Sequence, residues 1–274
     1  MKARAKFGIW VFLSIIALLQ LFPLIWLINN SFNTSADFYS EHILKWPLDP
    51  QWQNYVNAWV DGNMLKYMFN SVFVTSVTIV LTVILSLTLS YAFTRMQWKM
   101  RSFFFTIILL GIMIPIHATL LPNFVIFKWL GLTDSYLGLI LPYTAVSVPF
   151  NMFILTGFLR SIPKEMEESA VIDGSGIYRI VFGIIAPLTK PAIVTVIITT
   201  FLNCWNEFIM ASTFISNEAL KTLPFSVMNF TGVYSSDYGS QFAVMVLTTI
   251  PAIVIYAFFN DQITKGVMEG AVKG

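Results

Sequence analysis

Asn203, Asn206 and Glu207 interrupt an apolar run, and in a helix their i, i+3 and i+4 spacing puts them on one face. Two amides and a carboxylate can hydrogen-bond a hydroxyl-rich solute. Trp205 beside them offers a ring on which the apolar side of a sugar can stack. Polar groups in a membrane span are costly and face a bundle interior or a wet cavity. They could line a solute path or make interhelical hydrogen bonds, and both readings stay open. Asn151, in another apolar run, is a further path candidate. Glu165, Glu167, Glu168 and Asp173 lie with Arg160, Lys164, Arg179 and Lys190 in the polar stretch 160–191, a balance that suits a charged protein surface. Catalytic chemistry finds no support. His42 and His117 are far apart in sequence and Cys204 is the single cysteine, so no nucleophile–base pair, metal set or intrachain disulfide is visible. His117, beside Pro115, reads as a packed, hydrogen-bonded residue, and Cys204 as a small buried one.

The elements that position these residues are membrane spans. Of 274 residues, 57% are hydrophobic and 11% charged, against about 25% charged in soluble domains. Mean hydropathy is +0.74. A net charge of +2 gives no case for nucleic-acid binding. Six runs match the roughly 20 apolar residues that cross a bilayer: Phe7–Ile28, Ser71–Phe93, Phe103–Phe127, Leu137–Leu159, Ala192–Phe214 and Phe242–Phe259. Uninterrupted runs of this kind exclude a β-barrel. The first is too long for a signal-peptide core and ends without a small-residue cleavage site, so it reads as a retained span. Pro115, Pro122, Pro142 and Pro149 should kink or break the third and fourth runs. Alternate loops carry 12 and 4 of the 16 Lys and Arg residues, which places both termini and the 160–191 loop in the cytoplasm. The outer loop 29–70, with Trp46, Trp52 and Trp59, reads as hugging the membrane surface. The outer loop 216–241 is rich in polar residues and could receive something from outside. The fold expected is an all-α integral membrane protein. It is one transmembrane domain of about six spans, with a two-helix loop between spans four and five.

That loop has clear punctuation. Pro163 suits a first helical turn, the glutamates follow where the helix dipole favours negative charge, and Gly174 is the expected stop. Ile162, Met166 and Ala170 should share one face. Ile177, Ile180, Val181, Ile184 and Ile185 then form a second amphipathic stripe. A pair of helices lying on lipid would carry excess Lys and Arg, and anionic lipid would repel the glutamates. Docking to a basic protein surface explains them better.

The loop resembles the Glu-Ala-Ala loop of ABC importer permeases. Glu168-Ser169-Ala170 precedes Gly174 at the family spacing, and Ile184-Ile185-Ala186-Pro187-Leu188 is similar to its Leu-Pro end, with Ser169 and Ala186 as departures. The segment Trp205-Asn206-Glu207-Phe208 and the tail Gly270-Ala271-Val272-Lys273-Gly274 resemble those of maltose-type sugar permeases, the tail pointing to the second permease subunit. The resemblance implies a bacterial inner-membrane import subunit, most simply for a sugar or oligosaccharide. Its implied partners are a second homologous permease, two ATPase subunits carrying ATP-Mg and an extracytoplasmic solute-binding protein. Glu167, Glu168, Ser169, Ala170, Asp173 and Gly174 would dock the ATPase, and 261–274 would reach its dimer interface. The chain itself has no phosphate-loop motif and no Gly-Lys pair, so it needs that partner and holds no cofactor of its own. A permease for another solute, such as glycerol phosphate, is the competing reading. An ion-driven transporter using Glu207 and His117 is a more distant one and leaves the loop unexplained.

Overall fold

The structure, a computed structural model, describes residues 2–38, 46–232 and 236–271, with side chains over 6–38, 46–232 and 236–259. His42 and the end of the tail lie outside the described residues, as do the tail side chains expected to meet a partner.

In chain order the α-helices are α1 (Lys2–Asn30), α2 (Ser35–Phe38), α3 (Gln53–Val60), α4 (Met64–Thr94), α5 (Arg101–Leu110), α6 (Leu120–Leu130) and α7 (Leu137–Leu159). The polar loop and the following segments give α8 (Glu165–Ile172), α9 (Ile177–Arg179), α10 (Ala186–Leu188), α11 (Lys190–Trp205), α12 (Ile209–Phe214), α13 (Phe225–Met228) and α14 (Tyr238–Ala271). Among the described residues the only β pairing is an isolated bridge between Thr231 and Ser236.

Four helices are long and apolar enough to cross a membrane: Lys6–Asn30, Met64–Thr94, Leu137–Leu159 and Tyr238–Phe259. Two further pairs are bent, Arg101–Met113 with Ile116–Leu130 at 95° and Ile177–Leu188 with Lys190–Trp205 at 83°, and counting each as one span gives up to six. The first bend falls at Pro115, as its missing N–H and fixed φ require. Pro122 is tolerated in the first turn of α6. Pro142 and Pro149, by contrast, do not break α7, which continues as one helix through both. The fifth run also differs from expectation. The helix starts at Lys190, stops at Trp205 and resumes only at Ile209.

The chain forms two compact units. The first joins Met1–Tyr67 to Leu223–Pro251. In it α1 exposes apolar residues around its whole circumference, Phe7, Trp10, Phe12, Leu18 and Phe22 among them, as a lipid-embedded helix does. Where α1 ends, buried Asn54 donates from Nδ2 to the Ser31 and Asn33 carbonyls, 2.9 Å each. Gly239 lies against this junction. A Cβ there would come within 2.5 Å of both the Asn33 carbonyl and Asn54 Nδ2, so only glycine fits. Phe32 meets the rings of Trp52 and Tyr55 at 4.9 and 5.2 Å. Trp46, Trp52 and Trp59 remain exposed, compatible with a surface-hugging loop.

The second unit, Met68–Thr222 with Ala252–Gly274, carries the polar loop. On α4, Ser71, Thr75, Thr78, Thr82, Ser86 and Ser90 recur at helical spacing and are all buried, whereas Val72, Phe73, Val80, Ile84 and Leu85 are exposed. This inverted amphipathicity suits lipid outside and close helix packing inside. Ser90 donates to the Met152 carbonyl of α7 at 3.0 Å. From the other side of α7, Asn151 donates to Thr200 at 3.2 Å and accepts from Thr199 at 2.9 Å. Hydroxyls and one amide thus tie α4, α7 and α11 together.

Candidate functional site

The polar loop is anchored from within. α8 begins beyond Pro163 with Glu165, Glu167 and Glu168 in its first turn. It ends on Gly174 at φ +76°, where the Ser175 N–H donates to the Ala170 carbonyl and the Gly174 N–H to that of Val171, at 2.9 and 3.0 Å. This pair of bonds is a Schellman stop, and it reverses the chain into α9. The expected stripe then turns inward. Ile180, Val181 and Ile185 are buried with Leu87, Tyr91, Leu155, Leu159 and Ala170 in one apolar cluster. The turn Ile180–Ile185 is π-helical rather than α, so the pitch of the expected second helix is not kept.

Burial divides the residues expected to dock. Glu167 and Ala170 are buried. Ile162, Met166 and Ala170 do not share a buried face, because Met166 is exposed. The outward surface holds Glu168, Ser169, Asp173 and Gly174. It also carries an apolar tip that was not singled out in the sequence, Ile172 at 85% and Tyr178 at 80% exposure with Val171 beside them. Their departure from the buried stripe was the available signal. Glu167 Oε1 instead lies 2.7 Å from Arg95 Nε.

The expected path residues are only partly brought together. Helix α11 ends at Trp205, so Asn206 and Glu207 do not continue the face begun by Asn203. The reason is capping. Glu207 accepts from the N–H groups of Met210 and Ala211 at 2.7 and 3.1 Å, satisfying the first turn of α12. The Tyr143 hydroxyl donates to the same carboxylate at 2.5 Å, which ties the break to α7. Asn206 bonds back to the Leu202 carbonyl at 2.9 Å. Trp205 is buried, with its ring stacked on Phe201 at 5.2 Å. Asn151 is buried among Thr199, Thr200 and Ser147. Both therefore pack the bundle rather than face a path. A cavity of about 260 Å³ remains beside the break, lined by His117, Tyr143, Ser147, Asn203, Cys204 and Glu207 with Ile116 and Val146. His117 is exposed on this cavity instead of packed. Among the described residues no three His, Cys, Asp or Glu side chains are grouped to hold a metal ion.

Bent helix pairs, a break capped inside the bundle and a buttressed polar loop with an exposed tip define a multi-span membrane protein. The family comparison agrees. Residues 83–269 match the model of the binding-protein-dependent transport system inner membrane component, and the chain belongs to that family of ABC importer permeases. It is 33% identical to the sulfoquinovosyl glycerol transport system permease SmoH of Agrobacterium fabrum, over 95% of this chain and 92% of that one. It is 30% identical to the arabinooligosaccharides transport system permease AraQ of Bacillus subtilis, over 98% and 96%. Among solved structures, a chain of a bacterial ABC transporter that imports the acidic polysaccharide alginate superposes with a TM-score of 0.82 at 23% identity, over 95% of this chain and 98% of that one. That likeness is one of fold.

Proposed function

We propose that this chain is one of two permease subunits of an ATP-driven importer of a sugar or oligosaccharide. Each works as a single membrane domain that supplies half of the path. The observation that carries the reading is the loop 160–191, packed on the bundle through Ile180, Val181 and Ile185 yet presenting an acidic and apolar tip. A subunit without a phosphate loop needs such a face to receive work from another protein. Lys and Arg placement puts the loop and both termini on the cytoplasmic side. There two ATPase subunits, which bind ATP-Mg, engage Glu168, Ser169, Asp173, Ile172 and Tyr178, with Gly174 setting the turn. A solute-binding protein delivers the solute on the opposite side. The relatives' named solutes, sulfoquinovosyl glycerol and arabinooligosaccharides, favour a carbohydrate. The small cavity around Asn203, His117 and Tyr143 sets a few polar groups among apolar walls, which suits hydroxyl-bearing rings, and forms part of this chain's share of the path.

The test is purification of the tagged chain from its native membranes in mild detergent, with its companions identified. A phosphate-loop ATPase and a second multi-span permease should co-purify. A stable, homogeneous chain recovered alone, able to move solute on an ion gradient, would contradict the reading.

A further inference from the structure

The docking role leaves one group of the loop unassigned, the ion pair beneath it. Arg95 directly follows the last residue of α4, and its side chain is 7% exposed; that of Glu167, on α8, is 10% exposed. Arg95 Nη2 donates to the carbonyls of Leu159 and Ile162, at the end of α7 and just beyond it, at 3.0 and 2.7 Å. Carbonyls at a helix C-terminus lack helical partners and favour a nearby cation. On its other edge, Arg95 Nε meets Glu167 Oε1 at 2.7 Å as an ion pair, off the angle of a hydrogen bond. Tyr91, one turn back on α4, borders the same recess of about 480 Å³ together with Lys164. One guanidinium therefore ties three elements: the end of α4, the end of α7 and the inner face of α8.

Stability alone is a poor reason for such a pair. Replacing a buried ion pair with apolar residues is often neutral or stabilising, whereas removing one partner is costly. The rest of α8's seat is slight. Ala170 is its contribution to the apolar cluster, and its two ends are a turn after α7 and the left-handed Gly174, both places where a chain bends. Force applied at Ile172 and Tyr178 would tilt a helix seated by so few groups, Glu167 beside Arg95 and Tyr91 and Ala170 in the cluster.

We infer that the Arg95–Glu167 pair is a positioning device that carries displacement of α8 into α4 and α7, so that a docked partner moves spans instead of bending the loop. This rests on the docking reading above.

The test uses the complete importer in liposomes, measuring solute imported per ATP hydrolysed and ATPase retained on purification. Arg95→Gln should keep the ATPase bound and its hydrolysis running while that ratio falls about tenfold, a typical coupling free energy. Arg95→Lys, which keeps the charge but not the fork, should recover part of it. A wild-type ratio in an assembled Arg95→Gln importer would overturn the inference. If Arg95→Gln does not assemble, Glu167→Gln takes the same test. Failure of both to assemble would give the pair a folding role only and overturn it too. Ile172→Glu separates the two ideas, because it strips the ATPase if the docking reading is right and leaves it bound if that reading is wrong, whatever Arg95→Gln does.

Discussion

Asn151 illustrates how polar side chains are used inside this bundle. Its amide is fully engaged, with Ser147, Thr199 and Thr200 as partners. Asn151→Ala should therefore cost about 1 kcal/mol of stability, the scale of interhelical hydrogen bonds in membranes. Denaturant unfolding in detergent measures this, and uptake per folded transporter should be unchanged. Thr82 gives the opposite expectation. Its hydroxyl is buried without a hydrogen-bond partner, so Thr82→Val, of the same shape, removes an unpaid desolvation cost. The same unfolding assay should find it as stable as wild type or more so; a loss above about 1 kcal/mol, the worth of a made hydrogen bond, would mean that the hydroxyl is used. Asn151 stood out in the sequence as an amide among apolar residues. Its partners did not, because Ser and Thr blend into an apolar run. The stripe Ser71, Thr75, Thr78, Thr82, Ser86 and Ser90 was legible by its period, once small hydroxyl residues are counted as the inward face of a membrane helix.

At the scale of elements, the stops were easier to read than the continuations. Gly174 ended α8 as its type and position required. The same geometry makes a prediction. Proline there cannot adopt φ +76° and removes the N–H that bonds Val171, so Gly174→Pro should leave the chain inserted while uncoupling solute uptake from ATP hydrolysis. Wild-type uptake by that variant would remove the loop from the coupling route. Pro115 was read correctly as a break. Pro142 and Pro149 do not break α7, because a long helix packed on its neighbours can absorb the lost bonds. The break at Glu207 was missed because Trp205, Phe208 and Ile209 keep the run apolar. The signal was a carboxylate two residues before a new helix, where its oxygens can reach first-turn N–H groups. The π-helical turn over Ile180–Ile185 had no such marker. It follows from packing Ile180, Val181 and Ile185 into the cluster at once, which is a tertiary demand.

For the whole molecule, the proposed division of labour is between a seated loop that receives work and a cavity that meets solute. Both belong to the unit formed by Met68–Thr222 and Ala252–Gly274. Asn203 lines the cavity and is exposed, whereas the other amides are committed to backbone or bundle bonds. Asn203→Ala should lower uptake several-fold without weakening ATPase binding, the pattern expected when about 1 kcal/mol of solute contact is lost. Equal loss of both would make Asn203 a structural residue.

We propose that this permease moves a carbohydrate only when driven through its polar loop. The most direct measurement is uptake of labelled oligosaccharide into liposomes containing the purified importer, with its ATPase on the loop side and binding protein on the other. Uptake should require ATP and binding protein together and disappear with Ile172→Glu. Uptake that persists without ATP, driven by a proton gradient and abolished by Glu207→Gln, would contradict it.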